Sequence, residues 1–199
     1  MGILISLSGL DGSGKTTQGQ HVLNLCQENG IKAQYIHLKT IDTKHSYHSV
    51  ARDAKRYIDA NDVKDKSETR NIISAFLFLN KVREEIEPAL SACDVVIVDR
   101  YLESAKCYHI LEDGLFPSVL KLYEQIKEPD INVFLDLNID ECCRRVDERQ
   151  EKTKYENKES FIKGYEFYRT QKDKFIWIDA NREQNVISNE IFGLIKKKL

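Results

Sequence analysis

The 199-residue sequence predicts an α/β fold, with about five strands in a parallel sheet flanked by helices. Three observations carry this expectation. Short β-branched runs alternate with longer stretches of helical character along the chain. One run, Asp94-Val95-Val96-Ile97-Val98, is apolar without alternation, as in a central parallel strand buried on both faces. The first apolar run also passes directly into a glycine-rich turn and then a helix.

The elements follow in order. Ile3-Leu4-Ile5-Ser6-Leu7 reads as a buried strand, and residues 17–28 as an amphipathic helix whose start lies at Gly14 or Lys15. Asn29-Gly30 ends that helix, and residues 32–38 form the second strand. Residues 46–90 are helical in character, broken near Asn61-Asp62 and ended around Pro88. After the apolar run come helices over 101–111 and 118–127, separated by Glu112-Asp113-Gly114 and Pro117. Residues 131–137 form the next strand behind Pro129. A charged helical stretch over 140–174 holds a polar patch from Arg149 to Glu159. Phe175-Ile176-Trp177-Ile178 is the last strand, and residues 183–199 the last helix. Right-handed crossovers join such strands. One domain of residues 1–199 accommodates all of this, and the sequence shows no internal repeat.

The formal net charge of −2 gives no global attraction to a nucleic acid polymer or an anionic membrane. No basic region precedes the first apolar stretch, and no run approaches transmembrane length. Cys26, Cys93, Cys107, Cys142 and Cys143 are odd in number and lack C-x-x-C spacing, which fits a reducing cytoplasm. His21, His37, His45, His48 and His109 are scattered and read as surface or internally satisfied residues.

Chemistry concentrates in two places. Gly9-Leu10-Asp11-Gly12-Ser13-Gly14-Lys15-Thr16 is a G-x-x-x-x-G-K-[ST] loop, and so predicts a three-layer P-loop NTPase fold that binds a nucleoside triphosphate. Glycines let successive N–H groups point inward at phosphate oxygens, and the helix that follows adds its positive end. Lys15 reaches the β- and γ-phosphates, and the Thr16 hydroxyl can ligate Mg²⁺. The second place is Asp99-Arg100-Tyr101, at the carboxyl end of the apolar strand, where open α/β sheets bind ligands. Asp99 can hold a Mg²⁺-bound water, and Arg100 can clamp a second anionic substrate with its fork.

These residues resemble the thymidylate kinase family. Leu10 to Thr16 with the trailing Thr17-Gln18 is similar to that family's phosphate loop. Asp99-Arg100-Tyr101 followed by Ser104 and Tyr108 is similar to its D-R-[YFH]-x-x-S-x-x-x-Y segment. Arg145 and Arg149, then Tyr155-Glu156 and Ser160-Phe161, resemble its lid, here about residues 144–158, and Ile178-Asp179-Ala180 its strand beside the adenine. The resemblance implies a helical lid and ATP-dependent phosphoryl transfer to a small nucleotide acceptor, dTMP, giving dTDP. It further implies that Gly9 to Thr17 hold ATP, with Lys15 on the transferring phosphoryl and Thr16 and Asp99 on Mg²⁺. Asp11 would meet the acceptor sugar or the metal's waters, Arg100 the acceptor phosphate, and Tyr108 the underside of the sugar, where it excludes a ribose. Arg149 would be the lid arginine, and a homodimer is the implied assembly.

The chain departs from that pattern in four places. Ser8 stands where a glutamate is usual, Ala105 where an asparagine is usual, and Lys39-Thr40-Ile41-Asp42-Thr43 where an arginine-containing segment is usual. In the helix before Pro88, Lys81 occupies the usual arginine region. There Ile72, Ile73, Phe76, Leu79 and Val82 recur at helical spacing, so Phe76 reads as core, while Phe78, off that stripe, is the candidate to line the acceptor pocket. Two rivals remain open: a kinase of the same fold acting on another nucleotide, a nucleoside or a phosphorylated metabolite, and a nucleotide-dependent switch.

Overall fold

The computed structural model describes residues 1–38, 46–112, 114–150 and 152–199, with the backbone alone for 46–52. Its sheet has β1 (Ile3–Ser8) at the centre, flanked by β3 (Val95–Asp99) and β4 (Ile131–Asp136). Outside these lie β2 (Ala33–His37) and β5 (Ile176–Asp179), giving the order β2-β3-β1-β4-β5. Every pairing is parallel. Each residue of β3 is buried, as an apolar run without alternation requires, whereas the edge strand β5 is half open to solvent.

Strand residues alternate between two cores. Ile5, Leu7, Val95, Ile97, Val133 and Leu135 face the side covered by α1 (Lys15–Glu28) and α9 (Gln184–Lys196), which pack on each other. Leu4, Val96 and Val98 face the side covered by α3 (Lys66–Lys81), α4 (Glu87–Ala92), α5 (Leu102–Glu112) and α6 (Pro117–Tyr123). The β-alternation thus feeds both layers from one strand. α2 (Ser46–Ala60) precedes α3, and the break falls between Ala60 and Lys66.

Two helical expectations need correction. The run does not end at Pro88: a π turn, Val82–Ile86, joins α3 to α4, which continues to Ala92 with the proline in its first turn. A proline ring collides with the carbonyl four residues back in a regular α-helix, and the wider π turn gives that carbonyl room. The stretch over 140–174 is also not continuously helical. α7 (Ile139–Asp147) and α8 (Lys158–Thr170) are separate, and residues 148–150 and 152–157 carry turns. Asn157 caps α8 by accepting from the Ser160 N–H at 2.9 Å, so a new helix starts there. The lid region expected to be helical is therefore mostly turn among the described residues.

His109 is internally satisfied. It lies 2.8 Å from Asn71 Oδ1 and 2.6 Å from the Tyr123 hydroxyl, joining α5 to α3 and α6. Burial pushes its pKa down to about 4.

Candidate functional site

The loop after β1 curls back on itself. Gly12 takes φ 89°, and a Cβ there would lie 2.9 Å from the Cys142 carbonyl oxygen, so only glycine fits both the turn and the approach of α7. Arg145 Nη1 donates to the Gly12 carbonyl at 3.2 Å and fastens α7 to the loop. Lys15 is 5% exposed; its Nζ donates to the Gly9 and Leu10 carbonyls at 3.0 and 2.8 Å and stands 3.7 Å from Asp11. Burial and the charge of Arg100 lower its pKa, against the pull of Asp11 and Asp99.

The end of β3 supplies the opposite wall. Arg100 adopts φ 69°, a left-handed conformation that a residue with a side chain enters only when its surroundings enforce it. Its N–H donates to the Leu7 carbonyl at 3.2 Å, which ties the turn to β1. That turn sends Asp99 and Arg100 to different tasks. Asp99 Oδ2 accepts from Thr16 Oγ1 at 2.8 Å, from Tyr35 at 3.0 Å and from His37 Nδ1 at 2.9 Å. Arg100 pairs with Asp11 and donates from Nη1 to the Tyr108 hydroxyl at 2.9 Å. Burial alone would raise both carboxyls. The His37 hydrogen bond and the charges of Lys15 and Arg100 hold Asp99 well below the usual range, and Lys15 and Arg100 lower the pKa of Asp11.

Between these walls lies a narrow crevice of about 30 Å³, lined by Asp11, Arg100, Ser104, Tyr108, Tyr155 and Tyr168 among others. Ser104 Oγ lies 3.1 Å from the Tyr168 hydroxyl. Tyr155 sets its ring against Tyr108 edge-on at 5.6 Å and bonds Glu112 through its hydroxyl. Arg149, 46% exposed, pairs with Glu156 at 2.8 Å, and its charge reaches Asp11.

Leu10, Asp11, Ser13, Lys15, Arg100, Ser104 and Tyr108 thus come together, with Gly9, Gly12 and Gly14 as the bends between them. Thr16 and Thr17 lie exposed in the first turn of α1. Phe78 does not join them: 4% exposed, it packs on Tyr101 and Tyr123 in the core, while Phe76, read as core, is 52% exposed. The stripe is displaced because polar Asn71 holds a core position, its amide satisfied by His109 and the Gly114 carbonyl. Lys81, half-buried in the last turn of α3, is also outside the crevice lining. Ser8 is buried with its Oγ unpartnered among the described residues, and Ala105 is core. Lys39 to Thr43 lie outside the described residues.

Tyr35 and His37 escaped the sequence reading. Their spacing on a strand was visible, but nothing in the chain indicated that this strand lies beside Asp99. The donor set suits a hard cation: Asp99 Oδ1 is buried without a partner beside the Thr16 hydroxyl. Among the described residues no three His, Cys, Asp or Glu side chains gather to cage a metal.

Residues 7–191 match the family model described as thymidylate kinase. The thymidylate kinase of Brachyspira hyodysenteriae is 27% identical over 98% of this chain and 94% of its own length. A probable thymidylate kinase of Thermococcus gammatolerans is 25% identical over 100% and 98%. The thymidylate kinase of Mesomycoplasma hyopneumoniae is 27% identical over 98% and 97%.

Proposed function

The chain belongs to the thymidylate kinase family, and from that premise we propose that it transfers the γ-phosphoryl of ATP to the 5′-phosphate of dTMP, giving dTDP and ADP. The observation that carries the reading is Asp11, shared between Lys15 at the phosphate loop and Arg100 at the crevice, so two phosphate-binding cations face one carboxylate. An acceptor phosphate oxygen attacks the γ-phosphorus while the bond to the β,γ-bridging oxygen breaks. Such transfer consists mostly of positioning and charge neutralisation.

Each residue has a task in that step. The loop N–H groups from Gly9 to Thr17 hold the triphosphate, and Lys15 Nζ, now on two carbonyls, turns to the more negative phosphate oxygens. Arg100 holds the acceptor phosphate, and its bond to Tyr108 sets the ring beneath the acceptor sugar. Asp11 keeps both cations aligned. Arg149, beside the crevice mouth, adds charge to the migrating group when the lid region closes and excludes water. Thr16 and Asp99 would hold Mg²⁺, which neutralises the β- and γ-phosphates when bound. The same reading carries a homodimer, supported by the exposed apolar Tyr57, Ile72 and Phe76, and a cytoplasmic setting, supported by five free cysteines.

A coupled assay of ADP release over a panel of mono- and deoxynucleotides tests the proposal. Release that depends strictly on dTMP upholds it; dependence on another acceptor overturns the substrate assignment. Acceptor-independent hydrolysis, unchanged by Arg100→Ala, overturns phosphoryl transfer altogether.

A further inference from the structure

Three donors converge on one oxygen of Asp99, and none reaches the other. Thr16 Oγ1, His37 Nδ1 and the Tyr35 hydroxyl all bond Oδ2, at 2.8, 2.9 and 3.0 Å. Oδ1 is buried and has no partner among the described residues. An ionised carboxylate only accepts, so His37 Nδ1 carries a hydrogen in this contact and the tyrosine hydroxyl donates.

The asymmetry comes from β2. His37 sits in register with Asp99, and Tyr35 lies two residues back, on the same face of the strand. The Tyr35 ring reaches this place because Gly19 of α1 has no side chain: a Cβ there would stand 2.3 and 2.7 Å from two ring carbons. Glycine inside a helix is less stable than alanine, so the sequence gives up helix stability where the ring passes.

We propose that His37 and Tyr35 are positioning residues for the metal side of the site. With a single bond from Thr16, the Asp99 carboxylate could rotate and exchange its two oxygens. Two further donors pin Oδ2, so Oδ1 alone is presented to the metal's water shell. Because Oδ2 takes the Thr16 proton, the lone pairs of that hydroxyl stay available to the cation. The inference rests on the reading of Thr16 and Asp99 as the Mg²⁺ residues.

Binding of Mn²⁺ to the enzyme–ADP complex, followed by its electron paramagnetic resonance signal, tests this without turnover. His37→Phe removes the ring donor, Tyr35→Phe removes one hydroxyl, and His37→Asn retains an N–H at comparable reach. The Mn²⁺ dissociation constant is expected to rise about tenfold in His37→Phe and by a smaller factor in Tyr35→Phe, with His37→Asn recovering most of the loss. ADP affinity in EDTA should stay at the wild-type value in all three, which separates positioning from general damage. Should His37→Phe fail to fold, Tyr35→Phe decides. Wild-type Mn²⁺ affinity in the His37 and Tyr35 variants, with Asp99→Asn impaired, overturns the inference and leaves the metal assignment standing. Wild-type affinity in Asp99→Asn as well removes the metal assignment, and the inference falls with it.

Discussion

Asp11 is 8% exposed and sits between Lys15 and Arg100, so removing either cation leaves a buried charge short of a partner. Under the proposed function, Arg100→Ala should lower kcat/KM for the acceptor on the order of 10³- to 10⁵-fold, since it removes the fork that holds the acceptor phosphate. Arg100→Lys keeps the charge but cannot serve Asp11, Tyr108 and a phosphate from one planar fork, so steady-state kinetics should show only partial rescue. Tyr108 separates ring from hydroxyl in the same assay. Tyr108→Ala should erode discrimination against a ribose acceptor by roughly 1–3 kcal/mol, whereas Tyr108→Phe, which keeps the ring, should retain most of it.

Among the elements, α1 and β2 are fitted through Gly19 and Tyr35. Gly19→Ala raises helix propensity yet should destabilise the fold by about 1–3 kcal/mol in urea unfolding, because the aromatic ring has to move. The junction of α3, α5 and α6 is held by His109, and it carries a pH dependence. Its folded pKa of about 4 lies below the ordinary histidine value of 6.5, so the unfolded chain binds the proton first as pH falls. Stability from this group is complete above pH 6.5 and is lost progressively down to pH 4, by roughly 3 kcal/mol in total. Urea titrations at pH 7.5 and pH 5 should therefore converge in His109→Gln relative to the wild type. Helix faces were the least legible part of the sequence for the same reason: Asn71 in the core looks polar until His109 and Gly114 are brought to it by the fold. The π turn was equally hidden, since a proline signals an ending and its upstream accommodation leaves no residue signature.

Across the whole molecule, the alternating strands and helices made the parallel sheet legible, and the fold brings the G-x-x-x-x-G-K-[ST] loop and Asp99-Arg100 together at neighbouring strand ends. Strand order was not legible, because periodicity says which residues are buried and not which strand lies beside which. That is why Asp99 was singled out from sequence while its hydrogen-bond partners His37 and Tyr35, carried by the neighbouring strand, were not. The order has a further consequence in time. β1 is hydrogen-bonded along both edges, to β3 and to β4, and the phosphate loop hangs from its end. Its amides exchange with solvent deuterium only when the sheet itself opens, whereas amides in the turns between α7 and α8 exchange through local openings. Deuterium uptake followed by mass spectrometry should show peptides covering Ile3–Ser8 among the slowest in the chain and those covering residues 152–157 among the fastest. The strand that carries the phosphate loop should thus be as long-lived as the native state, while the turns after α7 should open on a faster clock of their own.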